Sequence, residues 1–493
     1  MTQTRRQFLR HTSCGVVSAS ALLSGLGRFA LIDALAQAPP GGYRALVCVF
    51  LFGGNDANNM VIPYTDYDVT YGAVRSGAVF AVPQADLLQI NPPSTPGLTF
   101  GLHPRLDDSF GGTPSLYGLW NQGRVAVVCN TGPLIQPISR ADYLAGTARP
   151  YQLFSHSDQQ NLWQTAYANA PKQTGWGGST VDNTGGSPGF PVVASTGGVT
   201  VFSTGQNTRP LVLAAAPTPL NGALKLFKYG NNPPEQALID ALTFDGQDPM
   251  PALVQGATQI TTGSLAASAS LNSDPMLATI FPNSSLGNQL KQVAKLISLA
   301  PQLGVSKQVF FVSLGGFDTH TGQGAFNTNQ GQAGLLSQLS QAIGAFYSAT
   351  LELGVSGAVT LFTSSDFSRT FVPGGGATGT DHAWGSHQLV VGDSVVGSDF
   401  YGQFPSLAIG MDQDTDSGAG ARGRWIPTTS VDQYAATLAD WYGLDPNNRP
   451  LVFPNIGNFS QQTLGFLGGG PAQPRKQSVP GRLPRTPLVG TRG

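Results

Sequence analysis

Glutamate is nearly absent from this chain of 493 residues: Glu235 and Glu352 are the only two. Acid chemistry therefore has to fall to aspartate. Histidine is scarce, with six residues, and cysteine scarcer, with three. Charged residues make up 11% of the chain and the net charge is −1, so there is no basic surplus to hold nucleic acid. Cys48 and Cys129, the cysteines beyond the first residues, both lie in apolar, strand-like runs. Such positions suit buried free thiols better than a disulfide. Glycine, serine, threonine, asparagine and glutamine are plentiful, giving the neutral, hydrogen-bonding surface common in exported proteins.

The first residues set the address. Thr4-Arg5-Arg6-Gln7-Phe8-Leu9-Arg10 is a twin-arginine pattern, followed by a mild apolar run over 14–31 that Ser and Gly interrupt. That run is too broken for a membrane anchor. Ala36-Gln37-Ala38 offers a small-residue cleavage site, and Cys14 lacks a lipid-attachment context. We expect a signal peptide over 1–38, export by the twin-arginine pathway to the periplasm or beyond, and no transmembrane segment after cleavage. At the other end, 468–493 is rich in Pro and Gly and carries Arg475, Lys476, Arg482, Arg485 and Arg492 with no acid. It reads as a disordered basic tail.

Between them, 39–467 reads as one α/β domain. Residues 45–52, 124–130, 308–314 and the run into Asp366 are continuous apolar strands of the kind buried on both faces. Helical spacing fills 158–167, 285–300 and 335–347, and Ser430 with Gln433 fits a capping box opening a helix to Tyr442. Strand and helix in alternation imply a mostly parallel sheet with helices on both faces. Residues 181–274 break into short β-prone pieces between Gly, Pro and Asn, and read as an inserted, lid-like region.

Three strand ends carry an aspartate just beyond them: Asp56, Asp318 and Asp366. Parallel strands deliver their carboxyl ends to one edge. The histidines outside the leader, His103, His156, His320, His382 and His387, all sit in polar corners. Carboxylates gathered at one edge repel, and a divalent cation removes that cost while leaving positions for substrate oxygens. Asp with His ligation suits zinc, manganese or iron; an Asp- and Asn-rich shell suits calcium or magnesium. The alternative for each aspartate is a helix or turn cap.

Gly53-Gly54-Asn55-Asp56, Ser155-His156, Gly175-Trp176-Gly177-Gly178, Phe317-Asp318-Thr319-His320, the run from Ser365 to Thr370, the run from Gly379 to His387 and Arg424-Trp425-Ile426-Pro427 together resemble the motifs of a twin-arginine-exported bacterial family of unknown function. That family is grouped with the alkaline-phosphatase-like superfamily of phosphatases and sulfatases. The resemblance implies an alkaline-phosphatase-like fold. It implies a divalent metal, of unspecified identity, held by residues among Asp56, Asp318, His320, Asp366, Asp381, His382 and His387. Either His382 or His387 would be the late histidine, and Asp381-His382 is an alternative second pair, because Phe367 stands where a histidine would follow Asp366. Ser155 is the implied nucleophile, at a helix start that favours an anion, with Ser157 and Thr131 as rivals. Arg369 is placed to hold a phosphate or sulfate oxygen. The implied activity is metal-dependent hydrolysis of phosphate or sulfate esters on small molecules or glycans. The alternative is a catalytically inactive cell-surface or glycan-binding protein on the same fold.

Overall fold

The computed structural model describes residues 42–185, 190–223, 263 and 266–468. The expected signal peptide, all but the first residue of the expected tail, and much of 181–274 lie outside them. Twelve strands are defined there. The central sheet contains β1 (Arg44–Leu51), β5 (Val125–Gly132), β6 (Val193–Ser195), β7 (Leu211–Val212), β8 (Lys307–Leu314), β9 (Val359–Ser365), β10 (Ser386–Val391), β11 (Phe400–Tyr401) and β12 (Thr429–Ser430). Their order is β11-β5-β10-β9-β1-β8-β6-β7, with β12 also on β5. Every pairing is parallel except those of β10, which runs against β5 and β9. A small antiparallel sheet, β2 (Val61–Pro63), β3 (Leu88–Ile90) and β4 (Phe100–Leu102), stands beside it.

β1 lies between β8 and β9, and Ala45 to Leu51 are all buried. A strand with no polar face can exist only where helices cover both sides. The principal helices are α1 (His156–Thr165), α2 (Trp176–Thr184), α3 (Ser285–Ser298), α4 (Gly331–Glu352) and α5 (Val431–Tyr442). Side chains of β9 alternate between the two covers. Phe362 meets Trp176 of α2 and Tyr434 of α5, with ring centroids 5.4 and 6.0 Å apart. Val359 and Leu361 face Ile343 and Phe346 of α4 across a narrow apolar cleft. The structure is thus a mixed, mostly parallel sheet with helices on both faces, as the alternation of strand and helix predicts.

Local chemistry sets the ends of these elements. Ser430 and Gln433 form the capping box at the start of α5, and Gly443 closes it in the left-handed conformation. Cys48 and Cys129 are free and buried. β6 and β7, drawn from the stretch read as an insertion, add to the sheet beside β8. Among the described residues no helix is long and apolar enough to cross a membrane.

Candidate metal centre

The carboxyl ends of β1, β8 and β9 open onto one edge, and two glycines let their loops touch. Gly53 and Gly54 follow β1 with φ of 110° and 83°, a region that favours glycine. A Cβ on Gly53 would stand 2.3 Å from the backbone N of Asp318, and one on Gly54 2.5 Å from the Phe367 ring. Without side chains there, the loop after β1 packs directly on the loops after β8 and β9. The Gly53 N–H donates to Asp366 Oδ2 at 3.2 Å.

Four side chains converge at this edge: His156 at the start of α1, Asp318 and His320 after β8, and His382 after the glycine-rich loop. One ligand atom from each lies within 4.8 Å of all the others. The Nε2 atoms of His320 and His382 are 2.8 Å apart. Asp318 oxygens lie 3.1 Å from His320 Nε2, 3.5 Å from His156 Nε2 and 3.9 Å from His382 Nε2. The opposite ring nitrogens face outward. His156 Nδ1 bonds Asp366 Oδ2 at 2.7 Å, His382 Nδ1 donates to the Phe154 carbonyl at 2.6 Å, and His320 Nδ1 stands 3.5 Å from Asp381 Oδ1.

This arrangement selects tautomers. The Phe154 carbonyl can only accept, so His382 carries its proton on Nδ1 and turns the Nε2 lone pair inward. The Asp366 carboxylate does the same for His156, whose buried Nε2 has no hydrogen-bond partner. Lone pairs gathered with a carboxylate need a proton or a cation among them, and acceptors behind metal-binding imidazoles serve this purpose. Phe367, fully buried, backs the site with its ring 4.7 Å from both the His156 and His382 rings. The front is open, since the side chains of Asp318 and His320 are 47% and 48% exposed.

Electrostatics agree with the geometry. Burial alone would raise the Asp318 carboxyl, but hydrogen bonding and charge from Arg369, then His156 and His320, hold it below the usual carboxylate range. The hydrogen bond to Asp366 raises His156 above the ordinary imidazole value, and burial lowers His382. The residues present therefore fit a cation, with three imidazoles and one carboxylate as donors.

Of the residues named from the sequence, Asp318, His320 and His382 come together. Asp366 and Asp381 stand one layer back, behind His156 and His320. Asp56 does not join the cluster: Arg75 takes both its carboxylate oxygens, and Gln323 donates to one of them at 2.7 Å. His387 does not join it either. It is a buried residue of β10, accepts the Asn130 N–H at Nδ1 at 3.1 Å, and stacks on Phe404. Burial holds its pKa down at about 3. Arg369 is fully buried and donates to Asp318 at 3.0 Å, to the Gly53 carbonyl at 3.1 Å and to the Thr380 carbonyl at 2.5 Å. It anchors the site and has no exposed surface for a substrate oxygen. The Ser155 hydroxyl donates to Asp158 Oδ2 at 2.6 Å and makes no helix-cap bond. His156 is the site residue that the sequence reading passed over. Its signal was its place in the Ser155-His156 motif, one of five histidines outside the leader.

Fold and site define an α/β protein with a candidate metal centre at the carboxyl edge of its sheet. The chain belongs to the DUF1501 family, described as a protein of unknown function, whose model matches residues 43–417. No curated protein matches it in sequence. Among solved structures it is similar to Ps i-CgsB in complex with k-i-k-neocarrahexaose, at 10% identity and a TM-score of 0.33, covering 85% of this chain and 77% of that one. It is also similar to the lipoteichoic acid synthase LtaP from Listeria monocytogenes, at 8% identity and a TM-score of 0.32, covering 84% and 78%.

Proposed function

We propose that the chain is an exported, metal-dependent hydrolase of phosphate or sulfate esters, of alkaline-phosphatase-like kinship, acting on small molecules or glycans. The observation that carries this reading is the convergence of His156, Asp318, His320 and His382 at a solvent-open sheet edge. A divalent ion held there supplies Lewis-acid charge to an ester oxygen. The side-chain cations nearby are committed: Arg369 to Asp318, and Arg424 to Asp416 at 2.9 Å and to the His382 carbonyl at 2.8 Å. Ser155 is the nucleophile in this reading, with Asp158 placed to take its proton.

Chelation should abolish turnover of an aryl phosphate or aryl sulfate, and added divalent metal should restore it. Ser155→Ala should lose turnover while keeping the metal; undiminished turnover would leave Ser155 a structural residue of the helix start. Failure to cut either ester under any metal supplement would favour the catalytically inactive binding protein, a reading to which Phe367, in place of a second histidine after Asp366, already lends weight. Export is tested separately. Arg5→Lys with Arg6→Lys should trap uncleaved protein in the cytoplasm, and normal processing of that variant would defeat the assignment.

A further inference from the structure

We propose that the metal centre selects a four-coordinate transition ion of the zinc class over calcium and magnesium, and that Asp366 is a positioning residue which sets this selectivity through His156. The inference rests on the metal half of the functional reading and not on ester hydrolysis.

The donor set carries the argument. Three of the four converging ligands are imidazole nitrogens, and Asp318 alone supplies oxygen. Calcium takes six to eight oxygen ligands and magnesium keeps several waters, so neither matches this set, whereas imidazole suits zinc, cobalt and their neighbours. Spacing agrees. Four ligands about 2.0–2.1 Å from a tetrahedral zinc stand roughly 3.3 Å from one another. The contacts of Asp318 with the three imidazoles run from 3.1 to 3.9 Å, His320 and His382 stand 2.8 Å apart, and all four ligand atoms lie within 4.8 Å of one another, close enough for one ion to draw them in.

The second layer is built for the same purpose. Asp366 is fully buried, receives Gln160 Nε2 at 2.9 Å and the Gly53 N–H at 3.2 Å, and so holds a fixed oxygen on His156 Nδ1. The Phe154 carbonyl does this for His382. A carboxylate with its own donors behind a histidine fixes ring orientation and raises its basicity as a ligand. That arrangement serves a bond to nitrogen and does nothing for an ion that prefers oxygen.

The test uses the full chain, stripped with a chelator and titrated with cobalt(II). The expected result is the intense ligand-field absorption of four-coordinate cobalt, displaced by zinc and untouched by excess calcium or magnesium. His320→Ala, at a half-exposed position, should abolish that spectrum while circular dichroism stays unchanged. Asp366→Asn should shift the bands and weaken cobalt binding by about 10–100-fold. Displacement of cobalt by calcium or magnesium, a six-coordinate spectrum, or an Asp366→Asn spectrum and affinity identical to the parent would each overturn the proposal. Four-coordinate cobalt in a protein that cuts no ester would sink the hydrolase reading and leave this inference standing. Ester hydrolysis supported by calcium alone would do the reverse.

Discussion

Arg75 grips both carboxylate oxygens of Asp56, at 2.8 and 3.1 Å, with neither side chain more than 1% exposed. The same guanidinium donates to the carbonyls of Phe371 and Thr370. A buried pair of this kind is satisfied in itself and leaves Asp56 no charge to offer a metal.

Removing one partner leaves a buried charge uncompensated, at a cost of about 3–5 kcal/mol. Arg75→Met should therefore lower the urea midpoint by an amount that matches this cost. Asp56→Asn should also destabilise the fold but keep the metal. A folded Asp56→Asn protein that binds no metal would return Asp56 to the ligand set.

Much of this arrangement was legible in the sequence. Continuous apolar runs located β1, β5, β8 and β9, because strands buried on both faces carry no polar alternation to obscure them. Asp318, His320 and His382 were legible because each follows a strand or a glycine-rich turn. What pairs with what was not legible. Nothing in the chain announces that Arg75 reaches Asp56, since the contact depends on how the short, largely buried helix Tyr71–Arg75 docks beside the loop after β1. His387 was read as part of the loop, but Ser386 already begins β10, and one step into that strand turns the ring into the core. His156 was overshadowed by the serine before it. Only the docking of α1 against the end of β9 brings its ring to Asp366.

Two histidines outside the cluster predict an acid limit to stability. Burial holds both His103 and His387 at about 3, against an ordinary value of 6.5. The folded state keeps them neutral while the unfolded chain protonates them, so stability is full above about pH 6.5 and falls as pH drops toward 3. Each unit within that window costs about 1.4 kcal/mol per histidine. Urea midpoints measured across the window should show a shallower loss for His387→Gln than for the parent. Equal slopes would mean that His387 is not held neutral.

Phe367 packs behind two of the candidate ligands, His156 and His382. Phe367→Ala should cost about 3–5 kcal/mol of stability from the lost packing and the cavity. It should also weaken metal binding, because both rings lose the surface that fixes them. Isothermal titration of the stripped variant checks this. Affinity equal to the parent's would show that the second-layer acceptors alone position the rings.

The central claim is that His156, Asp318, His320 and His382 hold one metal ion. Elemental analysis of the full chain purified from its native compartment tests it most directly, with His156→Ala and His320→Ala prepared in parallel and their folding checked by circular dichroism. The account predicts about one equivalent of a transition metal in the parent and none in either folded variant, since each removes a direct ligand. A metal-free parent, or variants that keep a full equivalent, would contradict it.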